Sequence, residues 1–352
     1  MNFYKVHLWW YKKTHWEYWH TRTIYVPLFW AWLYLAIKNR SLYFFNYGNP
    51  SFKFGGFAMC SKKEIYDLIP AQWIPKTIKI IAGSTYETTC SELKKNTFKF
   101  PIVLKPDIGL KGLGVKFIAD DAELFTAISN ISQDHLLQEK IPYTNEVGIF
   151  YIRYPDQQNG SCTGMVRKDF LKVIGDGCSS LGQLIMNDTR AFVHYEKLYT
   201  SWNVQWNDVI EKDKIFTLVP VGSHTLGATF YDVSDSLTPE LCKQIDSICT
   251  QIEGFYYGRL DIMYKDWDRL LAGMDFKIIE LNGAAAEPTH MYDPKHSYFN
   301  AAKIVIQHWK FLSDISLKNK RGYKKTPSVK ETTKALIQNV SLERQLRRIQ
   351  GL

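Results

Sequence analysis

Two periods of apolar spacing alternate along the chain from residue 61 onward. In SKKEIYDLIP (61–70), Ile65, Leu68 and Ile69 fall at helical spacing and the run stops at Pro70. FKFPIVLKP (98–106) and GVKFIA (114–119) are β-rich runs on either side of a glycine loop, and DDAELFTAISN (120–130) opens a helix with the Asp120-x-x-Glu123 spacing of a capping box. HLLQEKI (135–141), EVGIFYIRY (146–154) and GMVRKDFLKVI (164–174) each predict a strand, and SSLGQLIMND (179–188) a short capped helix. An amphipathic helix over 238–254, strands over 255–264 and 276–281, and a closing helix over 299–312 complete the pattern. Strands and helices mixed in this way predict an α+β protein.

Residues 1–56 have a different texture. They hold six of the eleven tryptophans, at 9, 10, 16, 19, 30 and 32. That predicts either helices packed on the main domain or an anchor at a membrane surface, since Trp and Tyr beside Lys and Arg favour the lipid interface. NYGNPSFKFGG (46–56) reads as a turn-rich connector. The longest apolar run, Ile24 to Ile37, is 14 residues and contains Pro27, which is short of the roughly 20 needed to span a bilayer. No secretory leader is legible.

At 352 residues, 45% hydrophobic and 22% charged, the chain is long enough for about two domains' worth of core. The net charge of +9 is concentrated from Lys318 onward, where ten basic residues face only Glu331 and Glu343. The division expected is an aromatic segment 1–56, a main domain 57–312 and a basic tail 313–352. A nearly neutral main domain gives no support to nucleic-acid binding. The six cysteines form no metal or C-x-x-C spacing, which fits a cytoplasmic chain, peripheral to a membrane if the aromatic segment and tail act as anchors.

Chemistry gathers in two stretches. In PIVLKPDIGLKGLGV, Lys105 ends a strand and is followed by Asp107, Gly109, Gly112 and Gly114; such glycines let backbone approach phosphate, although a plain hairpin turn reads the same way. In YYGRLDIMYKDWDRLLAGMDFKIIELNG, two strands joined by a turn-rich connection, 266–275, bring Asp261 near Glu280. Glu280 and Asn282, two apart on a strand, share a face, as do Arg259 and Asp261. Asp, Glu and Asn oxygens together suit Mg²⁺; an isolated E-x-N is also what a strand end entering solvent looks like.

Over residues 60–312 the order and spacing of these elements resemble the ATP-grasp superfamily, and within it D-alanine:D-alanine ligase and cyanophycin-synthetase-like carboxylate-amine ligases. The resemblance rests on the strand lysine before a glycine loop, on LLQEKIPYTNE with Glu139, Lys140 and Glu146, and on Asp261, Glu280 and Asn282. It implies an ATP-grasp fold, two α+β subdomains gripping ATP. It implies Lys62 (ahead of Lys63) and Lys105 as phosphate-binding lysines, Glu139 and Lys140 at the adenine hinge, and Glu146 on the ribose. Asp261, Glu280 and Asn282 would then hold two Mg²⁺ ions, with Mn²⁺ as an alternative, and Arg259 would meet the transferred phosphoryl group. Arg167 and His224 are carried as substrate candidates, the former from the "GDG" neighbourhood MVRKDFLKVIGDG. The implied activity is amide or peptide-bond formation between a small carboxylate and a small amine through an acyl phosphate. The alternatives are phosphoryl transfer to a non-carboxylate acceptor and a membrane-peripheral protein with a regulatory ATP site. The sequence departs from the ligase in its glycine loop, in the turn after Asn282 and in lacking the α/β domain expected ahead of residue 57, so D-alanine specificity is not implied.

Overall fold

In the computed structural model, which describes residues 3–109, 112–129, 131–322 and 327–349, the chain begins with three helices: α1 (Phe3–Thr14), α2 (Thr21–Tyr25) and α3 (Phe29–Asn39). The short helix α4 (Lys62–Tyr66) follows, capped by Ser61, whose hydroxyl accepts from the Glu64 N–H. Strands β1 (Thr77–Ile80), β2 (Ile102–Pro106), β3 (Lys116–Ile118) and β4 (His135–Glu139), with helices α5 (Tyr86–Lys95) and α6 (Asp121–Ile128), form the first layer pair. The four strands run antiparallel in the order β1-β4-β2-β3. Ile80, Ile102, Leu104 and Leu137 pack on Leu93 and Leu124 of the two helices.

The second sheet has the order β11-β10-β5-β6-β9, all antiparallel, from β5 (Asn145–Ile152), β6 (Ser161–Asp169), β9 (Thr229–Asp232), β10 (Tyr257–Tyr264) and β11 (Phe276–Asn282). The single strand expected over 164–174 is in fact two. It breaks at Phe170, and β7 (Leu171–Ile174) leaves to pair with β8 (Ile215–Val219) over a separate core supplied by helices α7 (Leu181–Asn187), α8 (Thr189–Val193) and α9 (Tyr195–Trp202). One face of the five-stranded sheet is apolar. Val147, Ile149, Leu260, Ile262 and Ile278 meet Leu241, Ile245 and Ile248 of α10 (Pro239–Cys249). A short helix, α11 (Trp267–Leu271), lies in the β10–β11 connection where only a turn was expected.

The tail boundary at 313 needs correction. α12 (Tyr298–Lys320) runs through that position without a break, with Leu312, Ser313, Ile315 and Ser316 all buried. Most of the remainder is also helix, α13 (Val329–Ile349), docked on the N-terminal segment. Ala335 packs on Phe54 and Ala58, and Thr332 accepts a 2.8 Å hydrogen bond from Asn46. The N-terminal segment is in turn packed into the body. Trp16, Ile24 and Leu28 meet Met291, Ala301 and Val305, and Leu35 and Phe44 meet Leu312. Among the described residues no helix is long and apolar enough to cross a membrane.

Candidate functional site

The polar face of the five-stranded sheet is made by a slip in one ladder. Ile262 pairs with Ile278, but Asp261 pairs with Glu280, so Ile279 is an extra residue. Side chains alternate with period two, and a one-residue slip moves everything beyond it to the other face. Without the slip Glu280 and Asn282 would follow Ile278 into the apolar core. With it they lie beside Asp261 and Arg259, while Leu281 takes the core position opposite Leu260.

The slip also frees the Ile279 carbonyl, which accepts from Lys105 Nζ at 3.2 Å and from the Tyr66 hydroxyl. Lys105 thus reaches from the first sheet to the second. Its other partners are Tyr66 Oη at 2.7 Å and Gln138 Oε1 at 2.8 Å. Burial pushes this ammonium down to about 7, against the opposing pull of Glu280. Lys62 lies nearby, 3.5 Å from Glu280 Oε1 and bonded to the Gly109 carbonyl at 2.9 Å. Gly112 and Gly114 have positive φ, and a Cβ at Gly114 would sit 2.8 Å from Pro106, so the backbone at Gly114 lies tightly against the end of β2.

Asp107, expected beside the nucleotide, lies in a buried polar network. It is buried, accepts from the Ser61 hydroxyl and the Lys63 N–H at 2.9 Å, and pairs with Lys79 at 3.0 Å. Held by Ser61 and the Lys63 N–H, it fixes the start of α4 and thereby Lys62.

Arg167, carried as a substrate candidate, lies outside this cluster. It is exposed and stacks over Tyr231, while its neighbour Lys168 points into the polar face. Lys168 was not singled out from the sequence, because β6 is covered on both sides and its pattern does not show which neighbour faces in. Lys168 Nζ lies 2.6 Å from Glu146 and 3.1 Å from Asp261. Burial raises the Glu146 carboxyl, opposed by Lys168. Burial would raise Asp261 too, but Arg259 and then Lys168 hold it at about 2. Burial depresses Lys168, yet Asp261 and Glu146 together raise it above the usual lysine value.

Arg259 grips Asp261 with two bonds, Nε at 2.8 Å and Nη2 at 2.9 Å, and donates from Nη1 to the Glu287 carbonyl at 3.0 Å. Of about five N–H groups on a guanidinium, two are left to meet a substrate. Glu139 and Lys140 lie exposed where the chain crosses from β4 to β5, and Lys140 stands over the Phe117 ring. Glu146, expected on a ribose, is given to Lys168 and packed against Gly222, where a Cβ would come within 2.3 Å of its Oε2.

The N-terminal segment closes the other side. Glu17, buried, pairs with His224 at 2.9 Å and Arg190 at 3.4 Å, so the His224 ring is committed to a structural partner. Tyr25 and Tyr292 both donate to the carboxylate of Glu287, the residue whose carbonyl accepts from Arg259. Gly56 lies against Gly283, where a Cβ would meet Cα at 2.6 Å, and the Gly55 carbonyl accepts from Ala284 N–H. The connector therefore braces the turn that follows Asn282.

The donor set for a divalent cation fits in part. Glu280 and Asn282 stand side by side and half exposed, as hard-oxygen ligands require. Asp261 does not stand free, since Arg259 and Lys168 occupy its oxygens. Among the described residues no three His, Cys, Asp or Glu side chains are disposed to hold a metal ion.

No protein-family model matches the chain, and no curated protein matches it. Solved structures similar to it include the VanG D-Ala:D-Ser ligase from Enterococcus faecalis, at 14% identity and TM-score 0.41 over 74% of this chain and 61% of that one. They also include the D-alanine–D-alanine ligase from Bacillus anthracis, at 13% identity and TM-score 0.41 over 74% and 69%. The bifunctional glutathione synthetase from Pasteurella multocida matches at 13% identity and TM-score 0.38, over 72% of this chain but only 38% of that one. At such identities and scores nothing about chemistry follows from the likeness.

Proposed function

We propose that the chain is an ATP-dependent carbon–nitrogen ligase that joins a small carboxylate to a small amine. The observation that carries this reading is the convergence, between the two sheets, of Lys105 and Lys62 from one side with Glu280, Asn282, Arg259 and Lys168 from the other. Four cations facing oxygen ligands suit a triphosphate and a reaction that passes negative charge from one anion to another. The family resemblance of the sequence supports the same reading.

The steps proposed need no protein nucleophile. A substrate carboxylate oxygen bonds to the γ-phosphorus as its bond to the β-bridging oxygen breaks, giving ADP and an acyl phosphate. The amine nitrogen then bonds to the acyl carbon, phosphate leaves with the electron pair, and the nitrogen loses a proton. Lys62 and Lys105 would lie along the triphosphate, and Arg259 and Lys168 would stabilise charge on the transferred group. Glu280 and Asn282 would hold Mg²⁺, which when bound neutralises charge on the outer phosphates.

The test is mass spectrometry of products after incubation with ATP, Mg²⁺ and a pool of amino acids and other small acids and amines. The expected result is ADP release that depends on an amine, with a dehydrated adduct of acid and amine. A phosphorylated acceptor formed without any amine would replace this reading with phosphoryl transfer. Glu280→Gln should cut ADP formation about 10²-fold or more while the protein stays folded, since it removes charge from the ion's ligand set. Near-parental turnover in that variant would remove Glu280 from the site.

A further inference from the structure

We propose that the outer side of α3 is a docking face for an anionic lipid surface. The inner side of this helix is buried, through Leu35 and Ala36, as is Leu28 in the turn just before it. Its outer side is equally apolar. Phe29, Trp30, Tyr34 and Ile37 lie within one arc of the helix and are all exposed, Trp30 at 73% and Ile37 at 69%, and Val26 in the turn just before it is exposed too. A surface helix that is apolar all round has a second partner that the isolated chain lacks.

The surroundings select the partner. From residue 18 to residue 63 the sequence contains no Asp or Glu, while Arg22 and Arg40 stand exposed at the two ends of the segment. α12 runs alongside, since Ile24 and Leu28 meet Ala301 and Val305 while Leu35 meets Leu312. It exposes Phe299, Lys303 and Lys310 at one-face spacing. The one carboxylate on α12, Asp314, is neutralised by Lys38 at 2.7 Å.

An apolar stripe with Trp and Tyr, flanked by lysine and arginine and free of uncompensated acid, matches the headgroup zone of an anionic bilayer. There the rings enter the acyl boundary and the cations meet phosphate. At 11 residues α3 is about 16 Å long, enough to lie in that plane but not to cross it. The face belongs to no part of the polar cluster between the sheets, so the proposal stands apart from the catalytic reading.

Sedimentation of the full chain with lipid vesicles tests it. The vesicles are phosphatidylcholine alone and phosphatidylcholine mixed with phosphatidylglycerol. The parent protein should pellet with the mixed vesicles at low salt, be partly released at high salt, and stay in solution with phosphatidylcholine alone. Phe29→Ser combined with Trp30→Ser should weaken binding by about tenfold or more, because both rings leave water on docking. Lys303→Glu combined with Lys310→Glu should remove most low-salt binding. All four positions are exposed, and unchanged thermal unfolding of the variants will establish that they fold. A parent protein that stays in the supernatant with mixed vesicles overturns the proposal, as does equal pelleting of parent and variants. If instead the protein dimerises in analytical ultracentrifugation and Phe29→Ser with Trp30→Ser abolishes the dimer without affecting vesicle binding, the face is a contact between copies and the proposal also fails.

Discussion

Lys105 is buried against three neutral oxygens, and burial, only partly opposed by the charge of Glu280, is why its ammonium is so weakly held. With its ordinary value near 10.4 brought down to about 7, the side chain is largely neutral at pH 8 in the free protein. The unfolded chain binds the extra proton between pH 7 and about 10, so in that window this group favours the folded state increasingly as pH rises. A triphosphate arriving beside Lys105 would restore its charge. ATP binding at pH 8 should therefore take up close to one proton, and at pH 5.5, where Lys105 is already protonated, should take up almost none through this group. Calorimetric titration in buffers of different ionisation enthalpy reads the difference. Lys105→Met should abolish the uptake and weaken ATP binding by about tenfold or more. A binding enthalpy at pH 8 that does not depend on the buffer would place the triphosphate elsewhere.

At the level of single elements, β6 and β11 show what alternation alone conveys. The residues Glu280 and Asn282 were legible as a pair on one face, and the hairpin brought Asp261 opposite. The slip at Ile279 was not legible, because Phe276, Ile278 and Leu281 are all apolar and read as a plain buried strand. On β6, Met165 and Val166 are both buried on opposite faces, so the sequence could not say whether Arg167 or Lys168 turned inward. The difference is measurable. Lys168→Met leaves Glu146 and Asp261 buried with one cation fewer, which should destabilise the fold by about 3 to 5 kcal/mol and cut ADP formation. Arg167→Met should change neither by much, since that side chain stands at the surface over the Tyr231 ring. Denaturant unfolding and ADP release on both variants provide the check. Equal effects would mean that the strand register is wrong.

At the scale of the whole molecule, the C-terminal residues are packed on the N-terminal segment and so belong to the folded body. The charge count from Lys318 onward reads as a solvated tail. What it hides is that Ala335, Leu336 and Leu346 line one side of a helix whose basic residues line another. That side packs on Phe54 and Ala58. Leu346 ends 3.9 Å from where a Cβ at Gly114 would be, so the helix also backs the glycine loop. Truncation after Gly322 should accordingly act at two distances. Exposing Phe54 and Ala58, losing the buried leucine and leaving Asn46 without its Thr332 acceptor should together cost about 3 to 6 kcal/mol. The loop, deprived of its backing, should bind ATP more weakly than the stability loss alone would give at a temperature where the truncated protein is still folded. Thermal unfolding with and without ATP separates the two effects. A solvated tail would leave both the unfolding midpoint and the shift produced by ATP unchanged, and that outcome would remove α13 from the frame of the site.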